Sequence, residues 1–116
     1  MSISKELLSE VLGCKVHHIN IEVHESTVVY HTVNPRYKDY PQPKTINIHE
    51  LMHLCKEWAF NNKKEVTSGL MAATVFYQVF DTHYEVWRSV DKEFEAPTEP
   101  EAVFKCCQWI LENKDN

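Results

Sequence analysis

Glycine is scarce in this sequence, which has only Gly13 and Gly69 among its 116 residues. Phosphate-binding loops need several glycines at fixed spacing, because their backbone must approach the phosphates closely. Neither glycine begins such a pattern. The sequence therefore excludes the glycine-rich classes of nucleotide-binding site.

Long apolar runs are missing as well. The longest, at residues 70–77, is interrupted by Thr74 and is far shorter than the roughly 20 residues that a membrane-spanning helix needs. We expect this segment to be a buried strand. The residues after Met1 mix polar and apolar side chains and lack the apolar core of a secretory signal. These features predict a cytoplasmic protein with no membrane segment.

The four cysteines lack the spacing of a metal or disulfide framework, since no Cys-x-x-Cys pair occurs. Cys55, Cys106 and Cys107 lie at apolar positions of predicted helices. We expect all four thiols, including Cys14, to be buried and to behave as small apolar side chains. They give no reason to expect a cofactor.

Clustered basic residues are missing too. The formal net charge is −5, and the lysines and arginines are scattered except for short pairs such as Lys63 and Lys64. Binding to a phosphate backbone needs a concentrated basic surface. The sequence therefore disfavours nucleic acid as a partner.

The composition is that of a folded protein, with 43% hydrophobic and 11% aromatic residues. A chain of this length normally forms one hydrophobic core. We predict a single domain that spans residues 1–116.

Two predicted helices have recognisable ends. Residues 2–12 have apolar side chains at helical spacing, with Ser2 or Ser4 as the N-cap and Gly13 as the C-terminal stop. The last helix opens at Thr98, which forms a capping box with Glu101. A third helix, at residues 47–61, has a clear apolar stripe.

Alternating and β-branched segments predict two hairpins. The first joins residues 19–23 to residues 27–33 and has one polar face. The second joins residues 70–80 to residues 83–90 through a turn at residues 81–82. The predicted order is α-ββ-α-ββ-α, an α+β fold in which helices pack on a mostly antiparallel four-stranded sheet.

Part of the chain resembles small uncharacterised proteins encoded by phages and prophages. The resemblance rests on residues 47–51 (Asn-Ile-His-Glu-Leu), residues 55–59 (Cys-Lys-Glu-Trp-Ala), the hairpin that follows, and residues 98–102 (Thr-Glu-Pro-Glu-Ala) before Val103 and Phe104. The group it resembles is the phage ABA sandwich domain, over roughly residues 46–113. The resemblance implies an antiparallel sheet between helices and a mobile-element origin, and it carries no catalytic residue.

One motif predicts chemistry. Residues 49–53 read His-Glu-Leu-Met-His and match H-E-x-x-H. On a helix, His49 and His53 lie one turn apart and can bind one Zn²⁺, while Glu50 takes a proton from the metal-bound water. This pattern gives an alternative interpretation, a small zinc-dependent hydrolase.

The zinc motif lacks an evident third ligand. The longer zinc-peptidase pattern wants Gly at position 56 and His at position 59, where this chain has Lys56 and Ala59. A second class takes a glutamate from a later helix, and Glu99, Glu101 and Glu112 are the candidates. A solvated helix face explains the same residues. The strand histidines could also group around a metal or simply occupy polar strand positions: His17, His18, His24, His31 and His83.

A stiff loop is the predicted contact surface for a partner. Residues 34–44 contain three prolines, which predict an extended loop. Arg36, Tyr37 and Tyr40 lie in it, and such side chains are effective anchors because a stiff loop loses little entropy on binding. The alternative is that the tyrosines pack back on the sheet. The acidic residues before the last helix either face a basic partner or are solvated.

The leading interpretation is a non-catalytic accessory or protein-binding protein of phage or prophage origin. It has no cofactor and acts through a protein partner. The alternative is the zinc hydrolase with His49, Glu50 and His53. A homodimer through the exposed edges of the sheet is a third possibility.

Overall fold

The structure is a computed structural model that describes residues 3–20, 27–32, 42–80 and 85–113. The elements in these ranges follow in the order α1 Lys5–Leu12, β1 Val16–Asn20, β2 Thr27–Thr32, β3 Gln42–Asn47, α2 Ile48–Asn61, β4 Lys64–Gly69, β5 Ala72–Phe80, β6 Glu85–Glu95 and α3 Glu99–Asn113. The α+β class is therefore confirmed. No helix in the described ranges has the length and apolar character that crossing a membrane requires.

The described strands form two antiparallel sheets, so the prediction of a single four-stranded sheet is wrong. The strand orders are β1-β2-β3 and β4-β5-β6. β3 includes Pro43, which the sequence placed in an extended loop, and an edge strand tolerates this missing donor. β4 is mostly polar, with only Val66 buried, and so gives a weak strand signal. The order is α-βββ-α-βββ-α.

The strand predicted at residues 70–80 begins two residues later in the structure, at Ala72. Gly69 pairs with Ala72, and Leu70 and Met71 form the turn between β4 and β5. Their side chains are 89% and 61% exposed, so the first part of the longest apolar run is not buried. Apolar character alone did not reveal the turn, because this turn lacks the usual Gly, Asn or Asp. The turn predicted at residues 81–82 lies outside the described residues.

The helix ends follow the sequence closely. Ser4 caps α1 by accepting a hydrogen bond from the Leu7 amide, and Gly13 ends the helix with φ 68°. In α3 the Glu101 amide donates to Thr98 Oγ1 at 3.4 Å. Of the two serines that the sequence offered as the N-cap, the structure uses Ser4, and it confirms Gly13 as the stop and the Thr98 half of the capping box.

One hydrophobic core joins all three helices to both sheets. α2 packs against α3 and β4, α3 packs across the second sheet, and α1 packs against β1 and α2. The predicted buried face of α3 is confirmed, since Val103, Cys106, Cys107 and Ile110 are all 0% exposed. Both ends of β4 lie at the surface. Leu70 and Met71 are exposed after its last residue, and Phe60 is exposed shortly before its first.

Candidate functional site

The H-E-x-x-H motif lies on the exposed side of α2. Asn47 caps the helix, and its Oδ1 accepts a hydrogen bond from the His49 amide at 2.8 Å. His49, Glu50 and His53 are exposed. His53 Nε2 lies 3.1 Å from Glu57 Oε1 one turn further on. His53 thus already has a carboxylate partner.

The described residues do not gather a third metal ligand around this motif. No group of three or more His, Cys, Asp or Glu side chains in these ranges is arranged to hold a metal ion. Of the glutamates considered, Glu99 accepts a hydrogen bond from Ser68 Oγ at 2.8 Å and Glu112 accepts one from Gln108 Nε2 at 3.2 Å. Zinc binding through His49 and His53 stays a prediction that this part of the chain does not support.

The strand histidines are placed only in part. His18 and His31 are direct partners in the antiparallel pairing of β1 with β2. Backbone pairing puts two such positions close together, but a stable metal site needs more than two protein ligands. The pairing therefore identifies neighbours and not a site.

Tyr30 is a buried side chain of β2. Burial raises the pKa of the Tyr30 phenol, and the nearby ionisable groups of Cys14 and Glu50 raise it further. Glu50 is thus close enough to β2 for its charge to act on Tyr30. A phenol with a raised pKa is protonated at neutral pH, so Tyr30 carries no negative charge there.

Three cysteines form a buried cluster between α2 and α3. Cys55, Cys106 and Cys107 are 0% exposed, and the Cys107 thiol donates to the Cys55 carbonyl oxygen at 3.6 Å. Hydrogen bonding to Cys55, followed by burial, raises the pKa of Cys107, and burial raises that of Cys106 to about 12. The thiols of Cys106 and Cys107 therefore stay protonated and unreactive near neutral pH.

Cys14 corrects the expectation that all four thiols are buried. It is exposed, and it lines an open groove of about 1020 Å³ between α1 and the end of α3. Gly13 ends α1 immediately before it. The tertiary structure therefore divides the four free cysteines into three core side chains and one surface thiol.

The clearest surface feature is the turn between β4 and β5, called here the apolar tip and consisting of Leu70 and Met71. The Ala96 amide donates to the Met71 carbonyl at 3.1 Å, which holds the turn against the segment after β6. A groove of about 570 Å³ begins at Met71 and continues along Ala96 and Pro97. The tip thus joins exposed apolar side chains to a concave surface.

Acidic side chains border the apolar tip. This acidic rim consists of Glu93, Glu95 and Glu99. Glu93 and Glu95 are exposed on β6, where they pair with Thr74 and Ala72 of β5. Glu99 reaches Ser68 at the end of β4.

Two lysines near the rim are directed toward other groups. Lys105 donates to the Glu95 carbonyl at 2.9 Å, and the Lys92 ammonium lies 5.9 Å from the centre of the Trp109 ring. The groove beside the tip is thus lined by Lys105 as well as by Glu95.

The opposite end of β4 has a different character. This basic end consists of Phe60, Lys56, Lys63 and Lys64. Phe60 is 58% exposed and lines a groove of about 460 Å³ together with Lys56. Lys63 has φ 64°, in the left-handed region that favours glycine, and its amide donates to the Phe60 carbonyl at 3.0 Å. Glu57 and Glu65 also lie here, so the excess of positive charge is small.

The sequence predicted its partner contacts in the loop at residues 34–44. Arg36, Tyr37 and Tyr40 fall outside the described residues, so their role stays a prediction. The sequence reasoning missed the apolar tip because it assigned residues 70–77 to a strand. Gly69 was the local signal of a nearby turn, since it directly precedes the two turn residues.

Comparison of the chain with protein-family models, with curated proteins and with solved structures gives no match.

Proposed function

We propose that this chain is a non-catalytic accessory protein that binds another protein chain through the apolar tip, the adjoining groove and the acidic rim. The observation that carries this proposal is the exposure of Leu70, 89%, beside that of Met71, 61%. A phage or prophage origin and a cytoplasmic location, which the sequence suggested, belong to the same proposal.

The apolar tip favours a contact surface over a simple connection between strands. Two-residue hairpin loops normally use Gly, Asn or Asp, which adopt the turn easily and are well solvated. Leu and Met offer neither advantage, whereas each contributes roughly 1.5–3 kcal/mol when its side chain becomes fully buried. A partner that covers Leu70 and Met71 would gain much of this free energy.

A photocrosslinking experiment tests the proposal in the cells that produce the protein. Replacing Leu70 by benzoylphenylalanine should give a discrete protein adduct on irradiation, because the residue is held at the contact. The matched control replaces Glu6, which is exposed on α1 away from the tip. Equal adducts from both positions, or none from position 70, would contradict the proposal.

Tyr37 and Tyr40 supply a second contact in the same proposal. Replacing Tyr37 and Tyr40 by Ser should reduce the yield of the position 70 adduct if the loop and the tip bind the same partner. An unchanged yield would remove the loop from the proposal and leave the tip.

The zinc hydrolase is the competing function. It requires one tightly bound Zn²⁺ per chain at His49 and His53. Metal analysis of protein purified without a histidine tag separates the two functions, because the accessory protein needs no metal and the hydrolase does.

A further inference from the structure

Two of the three buried cysteines touch across the contact between α2 and α3. Cys55 lies on α2 and Cys107 on α3, and the Cys107 thiol donates to the Cys55 carbonyl oxygen at 3.6 Å. The Cys107 thiol also hydrogen-bonds with the side chain of Cys55. Both side chains are 0% exposed. These two residues, called here the cysteine pair, therefore hold two sulfur atoms together away from solvent.

Cys106 is not a member of the pair, although it is the neighbour of Cys107 in sequence. Consecutive residues of a helix are directed about 100° apart, so their side chains do not face the same neighbour. The printed hydrogen bonds to Cys55 come from Cys107. The pair is therefore specific to one cysteine of each helix.

Contact between the two thiols is the chemical reason to consider a bond between them. A disulfide joins two sulfurs at about 2.05 Å and needs two cysteines on elements that approach each other closely. Thiols in hydrogen-bond contact reach this separation by rotation of their side chains and a small shift of the helices. The alternative is that both thiols only fill space as small apolar side chains.

Burial keeps the pair from reacting once the chain has folded. Thiol–disulfide exchange requires a thiolate that can reach the other reagent. Cys107 keeps its proton, because hydrogen bonding to Cys55 and burial raise its pKa, and neither sulfur of the pair is open to solvent. A bond between them can therefore form only while α2 and α3 are apart.

We propose that the cysteine pair is a redox lock that is set as the chain folds. In an oxidising thiol–disulfide mixture the pair closes into a disulfide between Cys55 and Cys107, and in a reducing mixture it folds as two thiols. Packing of α2 on α3 then shelters either form from exchange. The folded chain thus retains the redox state of the surroundings in which it folded.

Oxidised glutathione is the oxidant in this step. The Cys107 thiolate of the unfolded chain attacks one glutathione sulfur, which forms a mixed disulfide and expels the first glutathione as a thiolate. The Cys55 thiolate then attacks the Cys107 sulfur and expels the second glutathione. The protons of the two cysteines end on the two glutathione thiols, so one disulfide is exchanged for another.

The closed lock should stabilise the fold. The bridge joins residues 52 positions apart in the chain and removes conformations from the unfolded state. For a loop of this length, chain entropy gives roughly a thousandfold decrease in the unfolding equilibrium constant, and strain in the bridge lowers this gain. Urea unfolding should therefore show a decrease of at least about tenfold relative to the reduced protein.

Refolding in defined glutathione mixtures tests the lock. The parent protein for this test carries Cys14→Ala, which removes the exposed thiol, and is diluted from urea into oxidised or reduced glutathione. Only the oxidised sample should lose two hydrogens by mass spectrometry, and its digest should contain a linked pair of peptides with Cys55 and Cys107. Native reduced protein that is placed in the same oxidised mixture without unfolding should close at least about tenfold more slowly.

Two matched variants identify the partners. Cys106→Ala keeps both members of the pair and should close as the parent protein does. Cys55→Ala removes one member and should give a folded protein without an internal disulfide. Circular dichroism establishes that each variant is folded. If one is not, the linked peptides of the parent protein still decide the pairing.

Three results would overturn the inference: a bridge that contains Cys106, a parent protein that refolds with free thiols in every mixture, or a bridged protein no more stable in urea than the reduced one. Free thiols in every mixture would assign the pair to core packing alone. Native protein that closes as fast as the refolding chain would overturn the sheltering by packing. The apolar tip has no part in these measurements, so the proposed function is tested separately.

Discussion

The buried thiol of Cys106 should make the protein lose stability at alkaline pH. The side chain is 0% exposed, and burial, with a smaller contribution from Cys107, raises its pKa from 9.0 to about 12. In the unfolded chain this thiol releases its proton near pH 9, whereas the native protein holds it to about pH 12. The native state therefore binds more protons in this window, and the free energy of unfolding falls as the pH rises through it.

The size of this loss follows from the two pKa values. One pH unit above the unfolded value, most unfolded chains have lost the Cys106 proton while nearly all native chains keep it. The difference costs about 1.4 kcal/mol at pH 10, and Cys106 has no effect on the pH dependence below about pH 8. The raised pKa of Cys107 acts in the same direction.

Urea unfolding at pH 7 and pH 10, in the presence of a reductant, measures the effect. Between these two pH values the wild type should lose about 1.4 kcal/mol more than Cys106→Ala, which has no thiol to titrate. Cys14→Ala removes a thiol that the structure leaves exposed, and its profile should follow the wild type. Equal losses in the wild type and Cys106→Ala would refute the reasoning, since the burial of this thiol would then have no energetic consequence.

Four further predictions concern local features. In native protein a disulfide reagent such as DTNB should modify Cys14 rapidly and the other three thiols only after unfolding; rapid reaction of a second thiol would show that the helix interface opens. Lys63→Gly should raise the free energy of unfolding by up to about 1 kcal/mol in urea, because glycine relieves the left-handed backbone at φ 64°; no gain would mean that the strain lies elsewhere. Asn47→Ala should lower the free energy of unfolding by about 1 kcal/mol through loss of the N-cap, whereas Asn47→Asp should lower it much less, because aspartate also accepts the cap hydrogen bond. Purified untagged protein should contain no stoichiometric zinc, and a full equivalent that His49→Ala or His53→Ala removes would favour the hydrolase.

The helices could be predicted from the sequence because their signals are local. The periodicity that defines α2 and the caps at Ser4 and Thr98 act within a few residues, and the structure reproduces them. The exposed side of α2 was predictable for the same reason. His53 faces solvent because its own helix places it opposite the buried Leu51 and Cys55.

The strands were harder to predict because pairing is not local. β4 has few apolar residues, and it exists because β5 pairs with it over its whole length. β3 contains Pro43 and is stabilised by its pairing with β2. Neither partner can be identified from periodicity within a single segment. The sequence therefore predicted one sheet where the structure has two.

The candidate site was the least predictable feature, because exposure is a property of the packed chain. Leu70 looks like a core residue in sequence and becomes the most exposed of the large apolar side chains described. The rim residues Glu95 and Glu99 reach Ala72 and Ser68, on either side of the turn, only through strand pairing and the start of α3. No spacing in the sequence brings these three positions together.

By itself, the sequence determined that the chain is α+β, where its helices begin, and that glycine-rich nucleotide sites are excluded. These properties depend on composition and on contacts within one or two helical turns. Only the tertiary structure decided that there are two sheets, that three thiols are buried and one is exposed, and that an apolar tip and a basic end lie at opposite ends of β4. Those outcomes depend on which distant segments pack together, and it is this packing that determines whether a side chain is buried or left in water.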